Sequence, residues 1–232
     1  MGNGEKSLRF AAAARALPFL IFVLLTAGQG QFGAESAYWF YLAKTVVGLG
    51  MILALRPLVA EMRWAFSWEA VAVGVGVFAV WIGVDGAWTT QSSLWVKLGL
   101  AHAPKSPAPD WNPNEHFAPA LAWLFIAVRI LGSTFIVPPL EEVFYRSFLY
   151  RYIASQNFLS VPLNKFLPLP FLATACVFGL SHNEWLAGIV CGAAYQWLVL
   201  RKNRLGDAMT AHAITNFLLG VWVVWRGAWN FW

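Results

Sequence analysis

The sequence predicts an all-α, polytopic helical membrane protein of about seven transmembrane segments, plus an amphipathic helix carrying Glu-Glu-x-x-x-Arg. Three observations lead there. Of 232 residues, 59% are hydrophobic and 12% charged, with a mean hydropathy of +0.58. A soluble domain carries about 25% charged residues. The apolar residues also fall in long runs. Finally, the chain holds 14 tryptophans, whose indoles suit the bilayer interface.

Lys6, Arg9 and Arg15 precede an apolar run that ends near Thr26, within the first segment, 14–29. This order resembles the charged and apolar regions of a signal peptide. Gln29, Gly30 and Gln31 follow in place of an Ala-x-Ala-like site, so the run is expected to be retained as an anchor. Further runs cover 37–57, 69–88 and 119–137. Pro138 and Pro139 should then kink or restart the helix, because proline lacks the N–H of a helix interior. The stretch 139–154 reads as the amphipathic helix. The last runs are 169–182, 185–200 and 207–225, and the first two of these fall short of the about 20 residues that a span needs. No internal repeat or separate soluble domain is visible, so 1–232 reads as one integral membrane domain.

The formal net charge is +5, but the basic residues lie in short groups between apolar runs. That pattern fits lipid headgroups and topology, not the one-faced cluster of a nucleic-acid binder. With seven spans, Lys6, Arg9, Arg15, Arg56, Arg63, Arg151, Lys165, Arg201, Lys202 and Arg204 all share one side, cytoplasmic by the positive-inside rule. The N-terminus is then cytoplasmic, and 89–117 is an outer loop with Lys97 and Lys105 as its cations. Cys176 and Cys191 read as small core residues. Trp222, Trp225, Trp229 and Trp232 read as an outer aromatic belt.

Ionisable groups at membrane depth are costly and are functional candidates. Glu142 and Arg146 are i,i+4 partners, and Glu141 points about 100° away, free for another task. A bland reading is an acidic helix start. His182 closes Phe178-Gly179-Leu180-Ser181-His182, where the bland reading is an imidazole donating to a backbone carbonyl. Glu184 reads as a loop acid. His212 and Asn216 share a helix face and can donate to one oxygen, as an oxyanion hole requires, or serve as polar glue between helices. His102 and His116 show no ligand spacing, and no Gly-x-Ser-x-Gly is present. Glu141 lies ten residues before Arg151, His212 eight past Arg204 and His182 twelve past Pro170, which places them ~15, ~12 and ~18 Å along their helices. Similar depths predict one shared cavity, opening toward the cytoplasmic half.

Glu-Glu-x-x-x-Arg, Phe-x-x-x-His and His-x-x-x-Asn, in this order on successive apolar segments, resemble the CAAX prenyl protease and bacteriocin-processing (CPBP, Abi) intramembrane protease family. The resemblance covers about 119–220, which it implies is a catalytic core. Val137 to Tyr152 is also similar to a bacterial exosortase-associated subgroup. The resemblance implies that Glu141 and His182 activate water, that His212 and Asn216 stabilise the oxyanion, and that Glu142 and Arg146 support the site. It also implies a bacterial inner-membrane location.

The expected activity is hydrolysis of a peptide bond near the bilayer, with a peptide or protein at the membrane as substrate and no nucleic-acid partner. No cofactor is expected. Zinc is the alternative, with Glu141, His182 and His212 as three ligands, although the helical His-Glu-x-x-His pattern is absent. Two competing classes are a non-proteolytic membrane scaffold that binds peptides, and a small transporter. The latter often shows matching repeats, which this chain lacks.

Overall fold

The computed structural model of the chain describes residues 3–84, 90–100, 102 and 111–232. Its helices are α1 (Asn3–Ala27), α2 (Ser36–Leu55), α3 (Trp68–Gly83), α4 (Gln91–Lys97), α5 (Pro119–Phe135), α6 (Val137–Glu142), α7 (Tyr150–Ala154), α8 (Pro168–Leu180), α9 (Trp185–Lys202) and α10 (Gly206–Arg226). The described residues form no strand, in keeping with the all-α expectation. Part of the expected outer loop 89–117, including Lys105, lies outside the described residues.

Local chemistry sets the helix ends. Ser67 caps α3 by accepting from Ala70 N at 3.2 Å, and Thr90 caps α4 from Ser93 N. Pro119 and Pro168 open α5 and α8, where a missing N–H costs no hydrogen bond. α9 and α10 end at Asn203 and Gly227 in left-handed conformation.

Four helical stretches are long and apolar enough to cross a membrane: Gly4–Ala27, Ser36–Leu55, Pro119–Ala154 and Gly206–Arg226. Trp68–Gly83 and Pro168–Leu180 are apolar but shorter. The expected count of seven spans is therefore not established, whereas the membrane character is.

Pro119–Ala154 is a composite. α5 ends at Ile136, and Pro138 and Pro139 sit in the first turn of α6, so the helix restarts where proline predicts. From Val143 to Leu149 the backbone winds as a π-helix, whose wider turn is common at functional sites.

α8 and α9 form a tight hairpin. A Cβ on Gly179 would stand 2.6 Å from Ile189 N and 2.7 Å from Trp185 O, and one on Gly188 2.8 Å from Gly179 Cα. Small residues allow this backbone approach where lipid supplies no hydrophobic drive between helices. α10 packs on α3 at Gly74 in the same way, and Thr215 Oγ1 donates to Gly74 O at 2.9 Å. The core between these helices holds Phe178, Tyr195, Leu198 and Met209. Cys191 is buried there, but Cys176 is exposed on α8, which corrects the expectation of two core cysteines.

At the basic end, the connection after α2 carries Glu61. Its carboxylate accepts from Arg15 at 2.9 Å, from Arg151 at 2.8 Å and from Ser147. Burial alone would raise the Glu61 pKa, but the Ser147 hydrogen bond and the two arginines outweigh it and hold the carboxyl below its ordinary value. This cluster ties α1, the connection and the π-helical segment together.

Candidate active site

Glu142 and Arg146 are fully buried, and Glu142 Oε2 lies 3.2 Å from Arg146 Nε. The contact is an ion pair without hydrogen-bond alignment, since both atoms lack a hydrogen-bond partner. Arg146 Nη2 donates to Gly192 O on α9 at 3.1 Å, and its guanidinium lies 4.4 Å from the Phe178 ring centre. The spacing thus paired these residues correctly, and the tertiary structure adds the anchors on α8 and α9.

The other Glu142 oxygen lies 2.9 Å from His212 Nδ1. A carboxylate only accepts, so this nitrogen carries the proton. In the neutral ring, Nε2 is then a lone pair. It stands 4.0 Å from Glu141 Oε2, an oxygen that is itself buried without a hydrogen-bond partner. Two acceptors at this separation need a hydrogen between them. Because Glu141 Oε2 is sealed from solvent, a bridging water with hydrogen bonds of about 2.8 Å enters only if a side chain shifts. Tyr195 stacks on His212 with ring centres 5.1 Å apart and donates to Thr215 Oγ1 at 2.7 Å. Tyr195 had no sequence signal beyond its place in an apolar run.

His182 sits at the tip of the α8–α9 hairpin. Its Nδ1 donates to Phe178 O at 2.7 Å, as the bland reading expected, and this leaves Nε2 as an acceptor. The Phe178 ring lies between the two histidines, with its centre 4.5 Å from the ring centre of His182 and 6.0 Å from that of His212. Glu184, read as a loop acid, is buried and accepts from Asn183 at 3.0 Å.

Asn216 Nδ2 donates to Ser133 O on α5 at 2.8 Å. One N–H is therefore interhelical glue, while the second N–H and the carbonyl are not used by that bond.

A cavity of about 700 Å³ has His182, His212 and Asn216 in its wall; Glu141, expected to share it, is not among the lining residues and lies 4.0 Å from His212 Nε2. The wall also includes Thr26, Thr90 and Trp232. These residues lie at the far ends of their segments from Arg63, Arg151 and Arg201, so the cavity opens away from the basic end. This reverses the expected opening. Trp232 packs against Trp111 and Trp229 with ring centres 5.5 Å apart in each case, and it also lines the cavity. Trp225 is strongly exposed, as a belt residue would be.

Among the described residues, no group of three or more His, Cys, Asp or Glu side chains is arranged to hold a metal ion. Glu141, His182 and His212 thus do not form a ready three-ligand set.

Residues 117–218 match the family model described as type II CAAX prenyl endopeptidase Rce1-like. The matched span contains every motif residue discussed above. The match does not reach to the exosortase-associated subgroup. No curated protein and no solved structure matches the chain.

Proposed function

We propose that this chain, which belongs to the CAAX protease family through residues 117–218, hydrolyses a peptide bond at the membrane with Glu141 as general base. The family makes it an integral membrane protein of CAAX protease type. The residue roles rest on one observation: Glu141 and His212 face each other at 4.0 Å, while Glu142 clamps the other side of the same imidazole.

In this reading a water between Glu141 and His212 attacks the substrate carbonyl carbon, and its proton passes to Glu141. His182, with Nδ1 committed to Phe178, leaves Nε2 free in the same cavity wall, where it can accept from the substrate. The oxyanion is stabilised by the remaining N–H of Asn216 and by Nε2–H of His212. Donation from His212 requires a ring that is doubly protonated before the water binds, with Nε2–H donating to the water as the water donates to Glu141, and Glu142 balances the ring's charge. Glu141 then delivers its proton to the departing amine, and the C–N bond breaks. Glu142 and Arg146 position His212 without touching the substrate. The N-terminus is cytoplasmic by the distribution of arginines and lysines, and the mouth of the cavity then faces the opposite side.

A second reading, a peptide-binding scaffold, is favoured by the bonds of His182 to Phe178 O and Asn216 to Ser133 O, which serve structure as well. One experiment separates the two. Purified protein in proteoliposomes is incubated with a library of apolar peptides, and the products are read by mass spectrometry. New termini with wild type and none with Glu141→Gln support the peptidase. Equal peptide retention by both proteins without cleavage supports the scaffold.

A further inference from the structure

Arg129 on α5 stands in the cavity wall, held by aromatic rings. Its guanidinium carbon lies 4.4 Å from the Trp111 ring centre, 4.8 Å from Tyr41 and 5.2 Å from Trp232. Arg15, Arg146, Arg151 and Arg204 each pair with a carboxylate. Arg129 pairs with none among the described residues. Lys44 stands on the other side of this cluster, with Nζ 4.4 Å from the Tyr41 ring centre and a hydrogen bond to Thr26 Oγ1 at 3.0 Å. It forms no salt bridge with a carboxylate among the described residues, and the acidic influence on it is that of Glu141.

A cation away from water needs compensation. Aromatic faces supply part of it and hold the guanidinium plane still. They leave its fork of N–H donors unmatched, and that fork fits a carboxylate with two parallel hydrogen bonds.

The position sets a distance. Arg129, Ser133 and Val137 all line the cavity, at successive steps of four residues, and Glu141 is the next step. Twelve residues span up to ~18 Å as helix, and the break between α5 and α6 lies within this stretch. An extended peptide covers this with about five residues at ~3.3 Å each.

We propose that Arg129, supported by Lys44, is a specificity-determining residue that binds a carboxylate of the substrate about five residues from the scissile bond. The carboxylate is either the C-terminus of the peptide or an acidic side chain. Only the reference to a scissile bond rests on the peptidase reading.

The test uses the full chain in detergent micelles and fluorescence anisotropy of labelled apolar peptides. Three probes share one sequence: a free-acid C-terminus, an amidated C-terminus, and an amidated C-terminus with a terminal Glu. Cleavage is measured in parallel. Wild type should bind the acid about 10- to 100-fold more tightly than the amide, as expected for a charged hydrogen bond, and Arg129→Gln should lose that preference. Arg129→Lys should keep part of it. Recovery of affinity by the Glu probe assigns the site to a side chain, and failure of that probe assigns it to the C-terminus. Equal binding of all three probes by wild type overturns the proposal without reliance on any variant. So does a preference that survives in a folded Arg129→Gln, as judged by thermal melting. A preference without cleavage refutes the peptidase reading but leaves the subsite standing.

Discussion

Glu142 Oε1 lies 2.9 Å from His212 Nδ1, although 70 positions separate the two residues in the chain. The contact fixes which imidazole nitrogen carries the proton and turns Nε2 toward Glu141. The adjacent glutamates therefore hold one ring from two sides, one by a bond and one across a gap.

This division of labour predicts different outcomes for the two carboxylates. Glu142→Gln should lower both folding yield and activity, because it strips a fully buried arginine of its charge partner at a cost of about 3–5 kcal/mol. Glu141→Gln should abolish turnover while leaving the melting temperature close to wild type. Equal thermal destabilisation by both changes would mean that Glu141 is structural as well.

Asn216→Ala should reduce kcat by about 10²–10³-fold with little change in substrate affinity, the usual loss for one oxyanion donor. Asn216→Asp should be worse, since a carboxylate repels the developing negative charge. The interhelical bond to Ser133 adds a control. If the Ala variant loses thermal stability in proportion to activity, the amide is glue alone.

If Asn216 and His212 donate to the oxyanion as proposed, where a metal would otherwise act as Lewis acid, activity should survive exhaustive chelation. Metal content and rate are measured on the same sample. Loss of activity with the metal, and stoichiometric recovery on adding zinc, would make Glu141, His182 and His212 ligands instead.

Acid should loosen the basic end before the site. Glu61 has a lower pKa folded than its ordinary value of 4.5, so the unfolded chain binds the extra proton first. The stabilisation is complete above the ordinary value and is lost as pH falls through the folded one. Melting temperature against pH should therefore drop on the acid side for wild type, and the drop should be smaller for Glu61→Gln. Parallel curves would exclude Glu61 as the sensitive group.

Gly179→Ala should impair the site from a distance. The new methyl would press on Ile189 N and Trp185 O, and the hairpin tip carrying His182 would move. Rate should fall more than substrate affinity, measured as kcat against KM, and Ser181→Ala should be milder because it removes only hydrogen bonds. A wild-type rate for Gly179→Ala would show that the hairpin has slack.

The sequence by itself determined the helical membrane fold, the break at Pro138-Pro139 and the partners within one helix. Lipid leaves the backbone little choice but helices, and proline stops them where it stands. The spacing of Glu142 to Arg146 is a statement about one helix face, and the structure keeps it. Tertiary structure alone decided the rest: the Glu142–His212 bond, the use of one Asn216 N–H on Ser133, the exposure of Cys176, the place of Trp232 in the cavity wall and the end at which the cavity opens. Periodicity reports neighbours along a helix and depth along its axis. It does not report how a helix is rotated or which backbone it touches. Those choices are set by the close approaches at Gly179, Gly188 and Gly74, where contact between elements far apart in the chain fixes the rotation of each helix.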